Sequence, residues 1–380
     1  MYLLPAGNIL TMKGGTCLER SYCKPDFLRL ILIILFFILL PGLYLTAFSA
    51  LAHVPEFEGE GKRLAEAIPV ENPAKSRVLY GQLESGGTGE MGEEVGNIRY
   101  YSFEMEKGER ILLSLIVPAP APEGFVPALG LMGPGITLPE TRPELLEIPT
   151  GSGAKVLSGR LPEKATYEGF SPSAFYTLAS LDLEAPESGT YYAVVLGEAP
   201  STGKGNYGLV LGYLESFSLS EWLLVPAAQI RIYQWEGQSL LQIFLPLALT
   251  LLIGGLGLRW GRKKKSSKPS SGTVGRTLGS LAALFFLGTG FSFLFQMLLS
   301  LNQTAFTPEV FITLFLSLSH MGIGALALLP ALRPGKWRWG AIYSGIYFIG
   351  LGLAGLFLWA GLYTGPLLAV ISALIPERAQ

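Results

Sequence analysis

Five long apolar stretches flank one large polar block, and this layout restricts the chain to a membrane-embedded architecture before any motif is read. The stretches occupy 28–52, 238–259, 277–301, 310–332 and 339–362. Each approaches or exceeds the roughly 20 residues that a helix needs to cross the hydrocarbon of a bilayer. Between the first and the second lies a block of roughly 185 residues with short, strand-like patterns. The expected fold class is a multi-domain membrane protein. An all-β sandwich of jelly-roll type is inserted between helix one and a four-helix transmembrane bundle.

Charge places these pieces relative to the membrane, because Lys and Arg near helix ends favour the cytoplasmic side. Lys13, Arg20, Lys24 and Arg29 precede the first stretch, and Glu56, Glu58 and Glu60 follow it. The densest basic run, Arg259 to Lys268, begins at the end of the second stretch and continues into the loop 260–276, and Arg333, Lys336 and Arg338 lie before the last. The loop 302–309 has no Lys or Arg. The segment 1–27 is therefore expected inside and the block 53–216 outside, in a multi-pass protein of the cell membrane. Ala50 and Ala52 also fit a small-x-small cleavage site. A cleaved signal peptide and an uncleaved anchor give the same topology. The last apolar stretch is interrupted at Gly365 and Pro366. The remainder, 366–375, is too short to cross and reads as a re-entrant or surface helix.

The rare residues exclude several kinds of site, while abundant Glu leaves a carboxylate site open beside the simpler reading of solvated surface charge. The chain has two histidines, His53 and His320, two cysteines, Cys17 and Cys23, and Asp only at Asp26 and Asp182. A Ser-His-Asp triad or a His/Cys zinc site has almost no material. No catalytic, cofactor or metal residues are assigned. Net charge is −1, so nothing points to nucleic acid.

Strands are expected at 77–83, 98–105, 110–117, 128–132, 155–161, 175–183, 190–196 and 207–214, with Gly and Pro clustered between them. A segment from Lys75 to Glu215 contains every one of these and is expected to fold alone. Two passages carry further information. Tyr100 to Leu115 places an aromatic strand, a Gly turn at Gly108 and an aliphatic strand in order. Pro127–Gly135, Gly189–Val195 and Gly205–Leu211 follow with strand and turn signals. Over about Asn97–Gly212, broken by an insertion near Ile136–Phe170, this resembles the pre-peptidase C-terminal (PPC-type) β-sandwich domains. The resemblance implies a non-catalytic binding or accessory module. The acidic clusters that hold calcium in some of those domains have no match, so no metal is implied.

The insertion runs into an aromatic loop, and Tyr167, Phe170, Phe175 and Tyr176 form a candidate binding surface. The alternative is that these rings pack the insertion onto the sheet. In the joint 217–237, Ser218 and Glu221 fit a capping box. The reading is a short interfacial helix, broken near Pro226, with Trp222, Tyr233 and Trp235 as headgroup anchors. Within the spans His320 is the one ionisable residue near mid-depth, and so the candidate intramembrane polar site. Its simpler role is one interhelical hydrogen bond. Dense Gly and Ala in the later stretches favour close helix packing.

The function expected from these features is a non-enzymatic membrane protein whose sandwich binds a surface polymer, peptide or partner protein. Its partners would be the lipid bilayer and a membrane or cell-surface protein. The alternatives are a small transporter or channel subunit that uses the bundle, and a membrane enzyme acting on a lipid-linked substrate.

Overall fold

The computed structural model describes residues 53–57, 59, 61–84, 87–88, 94–95, 97–137, 146–197, 204–264, 273–332 and 341–375. The segments 1–27 and 28–52, both cysteines, the centre of the basic loop and the turn at 333–338 lie outside the described residues.

The polar block contains β1 (Val54–Phe57), β2 (Ile68–Pro69), β3 (Arg77–Leu83), β4 (Gly87–Thr88), β5 (Glu94–Val95), β6 (Ile98–Met105) and β7 (Arg110–Pro118). It continues with β8 (Ala128–Pro134), β9 (Ser152–Leu157), β10 (Thr166–Glu168), β11 (Ser173–Glu184), β12 (Gly189–Leu196) and β13 (Gly205–Leu211). The first sheet has the order β1-β3-β13-β7-β11-β10 and the second β2-β6-β12-β8-β9, with β4 and β5 as a separate pair.

Successive side chains on a strand point to opposite faces, and this sorts the residues between two environments. Leu79, Leu113, Leu115, Tyr207 and Leu209 of the first sheet meet Tyr101, Phe103, Leu131 and Tyr191 of the second in one shared core. The Tyr101 and Tyr207 hydroxyls pair across it at 2.7 Å, which satisfies two buried polar groups at once. The outer faces are apolar as well. Tyr100, Met132 and Val194 of the second sheet are covered by Leu64, Leu146 and Ile148. Val78, Ile116 and Val210 of the first are covered by Trp235. Strands buried on both faces read as continuous apolar runs, so alternation is faint in much of this block.

Two strand expectations change. The strand placed at 155–161 is β9 at Ser152–Leu157, drawn back because Gly151, at φ +82°, makes the turn that precedes it. The segment 75–215 does not contain every strand. β1 lies before it, parallel to β3 with Val54 opposite Arg77. Cutting there would also uncover the face that Trp235 covers.

The helices are α1 (Leu219–Trp235), α2 (Leu240–Lys264), α3 (Thr273–Leu301), α4 (Val310–Leu332), α5 (Ala341–Phe357) and α6 (Thr364–Leu374). Three of them, α2, α3 and α4, are long and apolar enough to cross a membrane. α3 is central and packs on α2, α4 and α6. Glycines set the closeness. A Cβ at Gly290 would lie 2.9 Å from the Ser317 carbonyl oxygen, and one at Gly324 would lie 2.9 Å from the Leu287 nitrogen.

The helix of the stretch 339–362 does not run unbroken to 362. Among the described residues this helix, Ala341–Phe357, stops at Phe357. The stop is a Schellman-type cap. The Ala360 N–H donates to the Gly355 carbonyl at 2.8 Å and the Trp359 N–H to Leu356 at 3.3 Å. Trp359 takes φ +57° and Leu362 φ +54°. The chain then reverses into α6, whose Ser372 hydroxyl donates to the Gly275 carbonyl near the start of α3. Thus α5 and α6 form a hairpin whose turn lies beside the middle of α3, where the Gly361 N–H donates to Thr289 Oγ1 at 2.9 Å.

Candidate functional site: a cleft between the first sheet and helix α1

α1 begins with the expected capping box. The Glu221 N–H donates to Ser218 Oγ at 3.3 Å, and the Ser218 N–H donates to Glu221 Oε2 at 2.6 Å. Glu221 also accepts from Lys75 Nζ at 2.6 Å, which ties this end of the helix to the β region. The expected break near Pro226 does not occur, and α1 runs through it. Proline has no N–H for the carbonyl four residues earlier, that of Trp222. That carbonyl instead accepts from Trp359 Nε1 at 3.0 Å. Tyr363 donates its hydroxyl to the next carbonyl, Leu223, at 2.6 Å. The α5–α6 turn thus takes up what the proline leaves unpaired. The Trp222 and Trp359 rings lie 4.2 Å apart.

The other end of α1 is locked to the sheet. Trp235 is buried against Val78 and Ile116, meets the Tyr80 ring edge-on at 5.0 Å and donates Nε1 to the Tyr207 carbonyl at 2.9 Å. The expected anchors therefore separate. Tyr233 and Trp235 are buried in protein, Trp235 against the outer surface of the first sheet and Tyr233 near Tyr167 and Ser171 of the insertion side. Trp222 is partly buried against Trp359 and Phe357. The strongly exposed apolar residues of α1 are Leu219 and Leu224.

The expected aromatic surface on the insertion also changes. Tyr167 is buried and its hydroxyl meets Thr313 Oγ1 on α4 at 2.7 Å. Thr313 Oγ1 donates in turn to the Gly169 carbonyl at 2.6 Å. Phe170 packs on Phe293, Ile312 and Leu316. These two rings dock the insertion onto α3 and α4. Tyr176 is partly buried beside the sheet core, and Phe175 beside Trp235. The four residues do not form one exposed patch.

Between the points where α1 is held, a cleft of about 570 Å³ opens. Val78, Tyr80, Ile116, Phe175 and Val210 of the first sheet form one wall, and Trp222, Val225, Ala228 and Ile232 of α1 the other. Trp359 closes it from the side of the α5–α6 turn, and Glu215, Ser216 and Phe217 lie along its rim. Polar groups are a minority of the lining. Gln229 is buried and donates to the Phe170 carbonyl at 3.2 Å. His53 is bonded to Ser76 through Nδ1, and burial draws its pKa below the usual value, opposed by Glu215.

Two carboxylates mark this end of the β region. Glu168 lines the cleft at the end of β10. Burial pushes its pKa up to about 7, while the Phe170 and Gly169 amides pull it down and Glu215 and Glu309 push it further up. Glu236 caps the C-terminus of α1, where a negative charge meets the unfavourable end of the helix dipole. It accepts from the Ala174 amide at 3.0 Å, and burial raises its pKa to about 8. Both act on Tyr80.

His320 lies away from the cleft, fully buried in α4. Its Nε2 donates to the Leu358 carbonyl at 2.7 Å, and its ring stands edge-on to Phe293 at 4.9 Å. Nδ1 has no partner among the described residues. His320 therefore bonds the α5–α6 turn and gathers no second titratable group. Among the described residues no cluster of His, Cys, Asp or Glu could hold a metal. Sequence reasoning missed Glu168, Glu236 and Trp359 as site residues. Glu168 adjoins Tyr167 and Glu236 adjoins Trp235, so aromatic-acid neighbours were the available signal. Trp359 had none inside an apolar stretch.

No protein-family model matches the chain, and no curated protein matches it. Among solved structures there is a likeness to the mercury-soaked form of MopE. That is a secreted protein of Methylococcus capsulatus in which an oxidized tryptophan facilitates copper binding. The likeness has 13% identity, covers 43% of this chain and 100% of that one, and has a TM-score of 0.18. At that score it carries no argument about fold or function.

Proposed function

We propose that this is a non-enzymatic, membrane-anchored binding protein. Its extracytoplasmic β region, a jelly-roll-like sandwich of PPC type, takes the apolar chain of an amphiphile from the outer leaflet into the cleft against α1. The single observation that carries this reading is the cleft itself. A cavity of about 570 Å³ falls within the usual range of small-molecule sites, and its walls are mainly apolar with polar groups among them. Its setting supports the same reading. α1 leads directly into the span α2, Leu219 and Leu224 are exposed on it, and the Trp359 turn reaches the cleft from the helical side. In this reading the basic loops are cytoplasmic, α2, α3 and α4 cross the membrane, and the α5–α6 hairpin enters from the cytoplasmic side. The likeness to PPC-type domains rests on the sequence passages alone.

The test is to fill the cleft. Ala228 is partly exposed on the α1 wall, so Ala228→Phe adds a ring where there is space and removes no polar partner. Lipids that co-purify with the protein in mild detergent are then counted by mass spectrometry. Ala228→Phe is expected to lower tightly held lipid at least several-fold with little change in melting temperature. Unchanged lipid content in a well-folded Ala228→Phe protein would remove the cleft as the binding site.

A further inference from the structure

A carboxylate in the cleft lining indicates what kind of head the amphiphile carries. We propose that the cleft selects amphiphiles with a positively charged head, an amine or ammonium, seated against the Glu168 carboxylate with the chain along α1. This rests on the cleft being a lipid site.

Three observations support it. First, Glu168 lines the cleft and its carboxylate accepts the Phe170 N–H at 3.0 Å, yet among the described residues no Lys or Arg is within ion-pair distance of it. Cations on neighbouring elements are engaged elsewhere. Lys75 pairs with Glu221 at 2.6 Å, Arg77 with Glu56 at 2.7 Å, and Arg231 lies 4.2 Å over the Phe57 ring. A carboxylate withdrawn from water without a counter-ion is costly unless it is protonated or a bound cation completes it. Second, the described lining residues include no Lys or Arg. An anionic head, phosphate or carboxylate, would find no Lys or Arg there and would meet Glu168, while His53, the basic group that does line the cleft, is held toward its neutral form by burial. Third, Tyr80, Phe170, Phe175 and Trp235 line the cavity along with Glu168. An aromatic lining that also holds a carboxylate suits an ammonium, which is attracted by the charge and by any ring face it reaches.

The charged and titratable groups near Glu168 are Glu215 on the rim, Glu309 before α4, and Tyr167 beside it, with Tyr80 on β3 coupled to both Glu168 and Glu236. Glu215 and Glu309 act on Glu168 as like charges and add to the negative potential that a cationic head would meet. Binding such a head would keep Glu168 ionised, so its affinity should rise with pH across the range where the free carboxyl gives up its proton.

Octylammonium, octanol and octanoate share one chain and differ in head charge, so they separate chain from head. Each is titrated calorimetrically, below its micelle concentration, into the full-length protein in maltoside detergent at pH 8. Octylammonium should bind at least ten-fold more tightly than octanoate. Glu168→Gln should remove most of that preference and leave octanol unchanged. Moving wild type from pH 6 to pH 8 should tighten octylammonium several-fold and octanol not at all. Equal binding of octylammonium and octanoate, or a preference that survives both Glu168→Gln and Glu168→Ala, would overturn the head assignment while leaving the cleft intact. If none of the three binds, the cleft reading fails and the head assignment with it. Circular dichroism and melting of each variant check that the fold is retained.

Discussion

Trp235→Ala is expected to destabilise the protein by about 3–5 kcal/mol, the range for emptying a buried tryptophan site. Trp235 fills the space between Val78 and Ile116 on the outer face of the first sheet, and its Nε1 satisfies the Tyr207 carbonyl. Removing it leaves a cavity and an unpaired acceptor at the only tryptophan that joins α1 to that sheet among the described residues. Trp235→Phe should recover most of the packing and lose about 1 kcal/mol with the hydrogen bond. Thermal unfolding in detergent gives the comparison. If Trp235 were a headgroup anchor, both variants would melt within about 1 kcal/mol of wild type once lipid is replaced by detergent, and that result would contradict the packing described here.

The second large effect is a fall in stability as pH rises from about 5 to 8. Glu168 and Glu236 have folded-state values of about 7 and about 8, above the ordinary carboxylate value. Over this window the folded state holds protons that the unfolded chain has released, so stability decreases with rising pH. It is highest near the unfolded value and lost through the folded ones. Each unit of displacement corresponds to about 1.4 kcal/mol. Both side chains keep some solvent contact, so the combined loss is on the order of 2–4 kcal/mol after screening. His53 works the other way. Its folded value is lowered, so it adds stability as pH rises toward its unfolded value. Comparison with the Glu168→Gln, Glu236→Gln double variant isolates the carboxylates. The double variant should show a flat or slightly rising profile across pH 5–8. An equally steep fall in both proteins would contradict the assignment.

These effects arise at contacts that sequence patterns carry unevenly. The strands Arg77–Leu83 and Ile98–Met105 were readable to the residue because β-branched and aromatic side chains run between clear turn signals. β1 and β10 are four and three residues long and exist through pairing with β3 and β11, which no local pattern announces. The capping box of α1 was readable because its two partners are three residues apart. The stop at Phe357 was not, because the left-handed position that usually holds Gly is Trp359, at a cost of about 1–2 kcal/mol. Contacts from distant residues, the Trp222 ring and carbonyl, offset that cost. The same holds for Pro226, which breaks a helix in isolation and is accommodated here by an indole from the α5–α6 turn. Trp235 illustrates a different limit. An aromatic residue before a span suits a headgroup layer and a protein interior equally well, and only the position of the first sheet decides between them. The cleft follows from that decision, since its two walls are more than 100 residues apart along the chain over much of their length, as for Val78 and Trp235.

The central claim, that the cleft holds a membrane amphiphile, is tested most directly by photocrosslinking in intact membranes. A benzophenone side chain replaces Phe217 on the cleft rim in one protein and the exposed Lys155 of the second sheet in another, and adducts are identified by mass spectrometry. The expected result is a lipid adduct at 217, none at 155, and loss of the adduct when Ala228→Phe fills the cleft. Equal lipid labelling at both positions, or labelling at 217 that survives Ala228→Phe, would contradict it.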